Sequence, residues 1–189
     1  VRPRFAAHIC TQENGMTFKQ FLPIPIGIAV LATSLVMLAA PSPVVIPHLW
    51  TWITFQAWAM YFMAGCTIKG GVKVMCGYLG GAAASVAIFE LMKLFSCLGA
   101  AGSLALAVFI VVIPVISAER VPWFDFVPAW FVGAGVFFGV MGLSKLDLSC
   151  ESYMSVAKPL MLSCFIGMIY GFVTVFGRTK YEASLAKKG

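Results

Sequence analysis

The chain has 189 residues, of which 61% are hydrophobic and 11% charged, with a formal net charge of +6 and a mean hydropathy of +0.95. A soluble domain is about 45–50% apolar and about 25% charged, and any small fold leaves much of its surface exposed, so this composition points to lipid as the solvent. The 13 Lys and Arg residues lie between apolar runs or at the ends, form no stripe and accompany no recognition motif, which argues against a nucleic-acid partner.

The chain opens VRPRFAAHICTQENG, where Arg2 and Arg4 are followed by polar residues and not by an apolar core. No cleavable signal is expected, and the first apolar run should act as an uncleaved anchor. A spanning helix needs about 20 apolar residues. The first run is Phe21–Ala40, with Pro23 and Pro25 in its first turn, where proline is tolerated. PSPVVIP (41–47) breaks it. The second run is Leu49–Gly65, rich in Trp and Phe, and the third is Val72–Phe95. Gly99–Ser117 is the fourth, with Pro114 near its end, and AERVPW (118–123) is a turn. Phe126–Leu143 is the fifth and SKLDLSCES (144–152) the most polar internal loop. Pro159–Phe176 is the sixth, followed by a polar tail. The reading is one all-α, polytopic membrane domain over 1–189 with about six transmembrane helices: a cytoplasmic segment 1–20, a helical bundle 21–177 and a cytoplasmic tail 178–189. A version with four spanning helices and two re-entrant runs stays open, because the second run is short.

Six spans put both ends and the loops after the second and fourth helices on one side. That side carries Arg2, Arg4, Lys19, Lys69, Lys73, Arg120, Arg178, Lys180, Lys187 and Lys188; the other carries Lys93, Lys145 and Lys158. The asymmetry predicts that both termini are cytoplasmic.

The runs also divide as three plus three. Each half has an apolar helix, then an aromatic helix ending in small residues (YFMAG, 61–65; FFGVMG, 137–142), then a Lys-bearing turn and a helix with Cys and Gly (MCGYLGG, 75–81; SCFIGMIYG, 163–171). Three spans per half would make an inverted repeat, an architecture of transporters and channels whose pathway lies near the repeat interface.

AGCTIKGGVKVMCGYLGG (64–81) lacks the G-x-x-x-x-G-K-[ST] of a phosphate loop, because Gly71 and Val72 follow Gly70. It reads as a membrane turn plus the start of a helix, with Lys69 and Lys73 at the water boundary. G-x-x-x-G spacing occurs at Gly77 and Gly81, at Gly135 and Gly139, and at Gly167 and Gly171. Small residues at this spacing admit a second helix, either as packing seams alone or as the border of a narrow pathway. The pathway or packing candidates are these six glycines with Tyr61, Phe62, Gly65, Tyr78, Phe138 and Tyr170; the mouth charges are Lys69, Lys73 and Lys93. Glu90 lies three residues before Lys93, within reach along a helix. The six cysteines form no C-x-x-C pair and lie far from His8 and His48, so they read as free thiols. No metal, no cofactor and no catalytic constellation is expected, and no ionisable group falls near a bilayer centre.

AGCTIKGGVKVMCGYLGG and VPAWFVGAGVFFG (127–139) resemble a family of small bacterial inner-membrane proteins of unknown function. The chain as a whole, including VRPRFAAHICTQENGMTFKQF, resembles the low-carbon-dioxide-inducible plasma-membrane proteins of green algae. That resemblance implies a carbon-concentrating role, a multi-pass plasma-membrane location, a channel or transporter for inorganic carbon, and a homo-oligomer, a trimer. Membrane lipid and a small inorganic-carbon solute are the expected partners. The leading expectation is passive carbon dioxide conduction. The alternatives are bicarbonate transport, with Lys69, Lys73 and Lys93 attracting the anion, and a non-transporting membrane subunit or scaffold.

Overall fold

A computed structural model of the chain describes residues 17–39 and 48–187. Every regular element among them is helical. A short α1 (Phe18–Phe21) leads into α2 (Pro23–Ala39); then come α3 (Thr51–Met63), α4 (Ile68–Leu94), α5 (Gly99–Ser117), α6 (Val127–Leu143) and α7 (Cys150–Ala186). Each of the six expected runs falls on one helix. Among the described residues four stretches are long and apolar enough to cross a membrane: Phe18–Ala39, Ile68–Leu94, Ser96–Arg120 and Cys150–Ala186. The protein is an all-α membrane protein. The 17-residue α6 is apolar but shorter, and the 13-residue α3 reaches only about 20 Å.

The expected ends of two helices need correction. The third run was expected to start at Val72, yet α4 starts at Ile68. Thr67 explains this, because its Oγ1 accepts the Gly70 N–H at 3.0 Å and caps the helix. Lys69 therefore stands on the helix and not in the turn. The sixth run was expected to be Pro159–Phe176, yet α7 runs Cys150–Ala186. Ser149 caps it, its Oγ accepting the Ser152 N–H at 3.2 Å. Pro159 sits inside, where it removes one backbone bond without ending the helix. The tail expected after residue 177 is helical to Ala186, supported by an Arg178–Glu182 pair at 2.7 Å, four residues apart on one face. Arg2, Arg4, Lys188, Cys10, His8 and the PSPVVIP break lie outside the described residues.

Two compact units make up the chain: residues 1–47 with 173–189, and residues 48–172. In the first, Tyr181 Oη donates to Gln20 O at 2.7 Å, so the start of α1 and the end of α7 meet. The second holds α3 to α6 and the first part of α7. Its fully buried side chains include Tyr78, Phe137, Ile53, Leu160 and Val74. There α5 lays Ala107, Val111 and Val115 against Ile88 of α4.

Within this unit α3–α4 and α6–α7 are two hairpins with matching turns. After α3, Ala64, Gly65 and Cys66 donate to Met60, Phe62 and Tyr61 carbonyls; after α6, Ser144, Lys145 and Leu146 donate to those of Val140, Gly142 and Met141. Gly65 (φ 107°) and Lys145 (φ 49°) hold the same left-handed position. Each turn then ends in a hydroxyl cap, Thr67 or Ser149. Replacing Thr67 or Ser149 by Ala should each lower stability by about 1 kcal/mol, read as a drop in the thermal midpoint of detergent-purified protein.

Candidate functional site

The two hairpins make the same helix contact twice. On α4, Gly77 and Gly81 face α6: a Cβ on Gly77 would strike the Ala129 Cβ, and one on Gly81 would strike Trp130 O and lie 2.6 Å from the Ala134 nitrogen. On α7, Gly167 and Gly171 face α3. A Cβ on Gly167 would lie 2.7 Å from both the Ala57 Cβ and Thr54 O, and one on Gly171 2.6 Å from the Tyr61 ring. So the closing helix of each half packs on the middle helix of the other. Ala57–Trp58 and Ala129–Trp130 hold the matching places.

The hairpins differ in length. Seven residues separate Ala57 from the turn residue Ala64, and fifteen separate Ala129 from Ser144. Ten separate the cap Thr67 from Gly77, and eighteen separate Ser149 from Gly167. Each arm of the second hairpin is thus eight residues longer, about 12 Å.

Tyr78 occupies the centre and is fully buried. Gly133 of α6 makes room for it, since a Cβ there would lie 2.7 Å from Tyr78 Cα. In the other pair the bulk is reversed: Tyr61 of α3 projects toward Gly171, and a Cβ on Gly71 of α4 would meet the same ring at 3.1 Å. The hydroxyl of Tyr78 and the indole N–H of Trp58 are buried and have no hydrogen-bond partner among the described residues. The fully buried hydroxyls nearby are satisfied: Ser85 donates to Gly81 O at 2.9 Å, and Ser163 accepts the Trp50 N–H at 2.9 Å.

Of the residues expected at the site, Tyr61, Gly77, Tyr78, Gly81, Gly167 and Gly171 come together here. Tyr170 packs on Trp58 with ring centroids 5.5 Å apart, and Phe62 meets Tyr61 edge-on at 6.3 Å. Gly65 belongs to the turn. Phe138 lies on Phe89 at 4.5 Å, toward the opposite end. Gly135 and Gly139 have open space where a Cβ would go, so the close approach on α6 is made by Gly133. The G-x-x-x-G spacing missed it, because Gly133 meets a tyrosine backbone and needs no second glycine.

The expected mouth charges, Lys69, Lys73 and Lys93, sit at the two ends of α4. Lys73 Nζ pairs with Asp125 Oδ2 at 2.5 Å, and Lys69 Nζ lies 5.7 Å from the Trp123 ring centroid. At the far end, Glu90 Oε1 accepts from Lys93 Nζ at 2.6 Å and from Tyr153 Oη at 2.8 Å, while Lys93 also donates to Leu148 O at 2.6 Å. Asp125, Trp123 and Tyr153 were not legible as partners. They lie tens of residues away, and no spacing rule connects them.

Residues 25–177 match the family described as "Protein of unknown function (DUF1097)". The chain belongs to this family. The match covers all of α3 to α6 and both seams. No curated protein and no solved structure matches the chain.

Two outcomes follow from this geometry. Leucine at Gly77 or Gly133 should cost about 1–3 kcal/mol by overpacking, whereas leucine at Gly135 or Gly139 should stay within about 0.5 kcal/mol for the protomer, measured by unfolding in detergent. The second concerns the loop after α6. Ser152 Oγ donates to Asp147 Oδ1, and with Ser149 this holds the carboxyl below its usual range. A depressed carboxylate stabilises the folded state above its unfolded value, about pH 4, and loses that effect as pH falls through the lower folded value. Unfolding midpoints of wild type and Asp147→Asn should differ above about pH 4 and converge below it.

Proposed function

We propose that the protein is a membrane channel or transporter for inorganic carbon, conducting carbon dioxide along the crossing of its two hairpins. One observation carries the reading. The core at the crossing holds no charged residue among the buried ones described, and two of its neutral polar groups, Tyr78 Oη and Trp58 Nε1, are buried without hydrogen-bond partners among the described residues. Repeat interfaces are where transporters keep their pathways. A small uncharged solute needs no buried ion to hold it, and a hydroxyl and an indole N–H can each donate to its oxygens. The likeness to low-carbon-dioxide-inducible proteins supports the choice of solute and the carbon-concentrating role.

Bicarbonate is the less favoured solute. Lys73 and Lys93 are engaged by Asp125 and Glu90, and no cation is among the buried residues described, so nothing positive would hold an anion midway along the crossing. The reading includes a plasma-membrane location with both termini cytoplasmic, supported by the basic asymmetry and by the Tyr181–Gln20 bond. It also includes a homo-oligomer, a trimer by the resemblance, for which the open face at Gly135 and Gly139 offers a close-packing surface. The scaffold alternative uses that same face for other subunits.

Proteoliposomes loaded with carbonic anhydrase test the reading, with internal acidification followed at two external pH values. Uptake should follow dissolved carbon dioxide, and Lys73→Ala should leave it unchanged. Tyr78→Phe keeps the ring and removes the donor, so it should slow flux about two- to tenfold, the worth of one hydrogen bond. Uptake that tracks bicarbonate and falls in Lys73→Ala would select the anion reading. Flux equal to that of empty liposomes at both pH values would select the scaffold.

A further inference from the structure

We infer that one face of α4, from Lys69 to Ala87, is a binding groove for a single phospholipid, with its phosphate on Lys69 and Arg120 and one acyl chain laid between α4 and α5. Two cavities compose it. The first, about 300 Å³, is lined by Lys69, Lys73, Glu119, Arg120, Trp123 and Asp125. Three cations face two carboxylates there, a surplus of one positive charge. Lys73 is taken by Asp125. Arg120 makes no hydrogen bond or ion pair among the described residues, and Lys69 is held only over the Trp123 ring. These two cations are therefore available to an anion, and a guanidinium beside an ammonium is a phosphate-binding set.

The second cavity, about 420 Å³, is almost wholly apolar and includes Gly80, Ala83, Ala87, Pro114 and Trp130 in its lining. The two adjoin at one wall segment: Trp123 and Asp125 line the polar cavity, and Phe124 between them lines the apolar one. On α4, positions 69, 73, 80, 84 and 87 recur at helical spacing along one face. From Lys69 to Ala87 that face runs eighteen residues, about 27 Å at 1.5 Å per residue. One leaflet of hydrocarbon is about 15 Å deep, so a chain whose phosphate is held at Lys69 stays within the groove. On α4 the lining is Leu79 with Gly80, Ala83, Ala84 and Ala87, whose small side chains leave the groove its room, and the Trp130 ring lies across Gly80.

The polar cavity also constrains the headgroup. Asp125 Oδ2 is paired, but Oδ1 is buried and receives no hydrogen bond among the described residues. A headgroup with an O–H or N–H beside its phosphate satisfies that oxygen; a quaternary ammonium headgroup does not. Glycerol and ethanolamine headgroups therefore fit better than choline. A soluble phosphate ester would share the phosphate contacts and leave the groove empty, so the test includes one.

The test is a binding titration of the full chain in detergent, read by Trp fluorescence and by native mass. The probes are phosphatidylglycerol, phosphatidylcholine with the same chains, and glycerol phosphate. Phosphatidylglycerol should bind saturably with one lipid per chain, and about tenfold more weakly in Lys69→Gln/Arg120→Gln, the loss of two charge-assisted contacts. Ala83→Phe and Ala87→Phe should weaken it too, by filling the groove from exposed positions. Lys145→Gln/Lys158→Gln, at the other end of the bundle, should leave it unchanged. Thermal midpoints near wild type would show that the variants fold. Glycerol phosphate binding as tightly as the lipid would overturn the groove and leave a free-phosphate site. Phosphatidylcholine binding as tightly would overturn the role of Asp125. Equal losses in the Lys145/Lys158 variant, or none in the Lys69/Arg120 variant, would overturn the whole assignment.

Discussion

Backbone-to-backbone approach at Gly77, Gly81, Gly133 and Gly167 is the constraint on which the rest of the molecule depends. Between helices in lipid there is no hydrophobic driving force, so association rests on van der Waals contact and on hydrogen bonds. A missing Cβ is what brings one helix within reach of another's peptide groups. Here the α4 glycines meet Ala129–Trp130 and the α7 glycines meet Ala57–Trp58. The large residues then fall into place around the contacts: Tyr78 over Gly133, Tyr61 against Gly71 and Gly171, and the Trp130 ring across Gly80. Without the seams none of these rings has a cavity to occupy.

The same contacts dispose the charges. Once α4 is fixed against α6, Lys73 lies beside the loop that carries Asp125, and the opposite end of α4 brings Glu90 and Lys93 to Tyr153 and Leu148. Pairing at both ends leaves the crossing itself neutral. That neutral crossing keeps two polar groups, Tyr78 Oη and Trp58 Nε1, without hydrogen-bond partners among the described residues. The surplus of positive charge is left on the outer face, at Lys69 and Arg120, where a polar cavity meets an apolar groove. One arrangement thus separates a neutral interior from a cationic rim.

How much of this could be read in the sequence follows from the range of each interaction. Hydropathy is a local property, and each of the six apolar runs fell on a helix. Helix ends depend on single hydroxyls, and Thr67 and Ser149 carried the starts of α4 and α7 outward past the apolar runs. Glycine spacing identified Gly77, Gly81, Gly167 and Gly171 as close-approach positions. It could not say what they approach, and it chose Gly135 and Gly139 over Gly133, because spacing along one helix holds no information about its neighbour. The Glu90–Lys93 pair was legible as a step of three along a helix. Lys73 with Asp125 was not, since only the packing of α4 on α6 creates it.

The account rests on two equivalent seams within one chain, and cross-linking tests that directly. Cysteines would be placed at Gly77 and Ala129 in one variant, and at Ala57 and Gly167 in another, on a background with the native cysteines replaced. An ideal Cβ on Gly77 or Gly167 lies 2.4 or 2.7 Å from its partner's Cβ, so each helix pair must part by about 1 Å to reach disulfide spacing. Mild oxidation in native membranes should join both pairs within a single chain, with no covalent dimer, to a similar extent. Cross-linking of only one pair, or bonds that run between chains, would contradict the paired-hairpin arrangement.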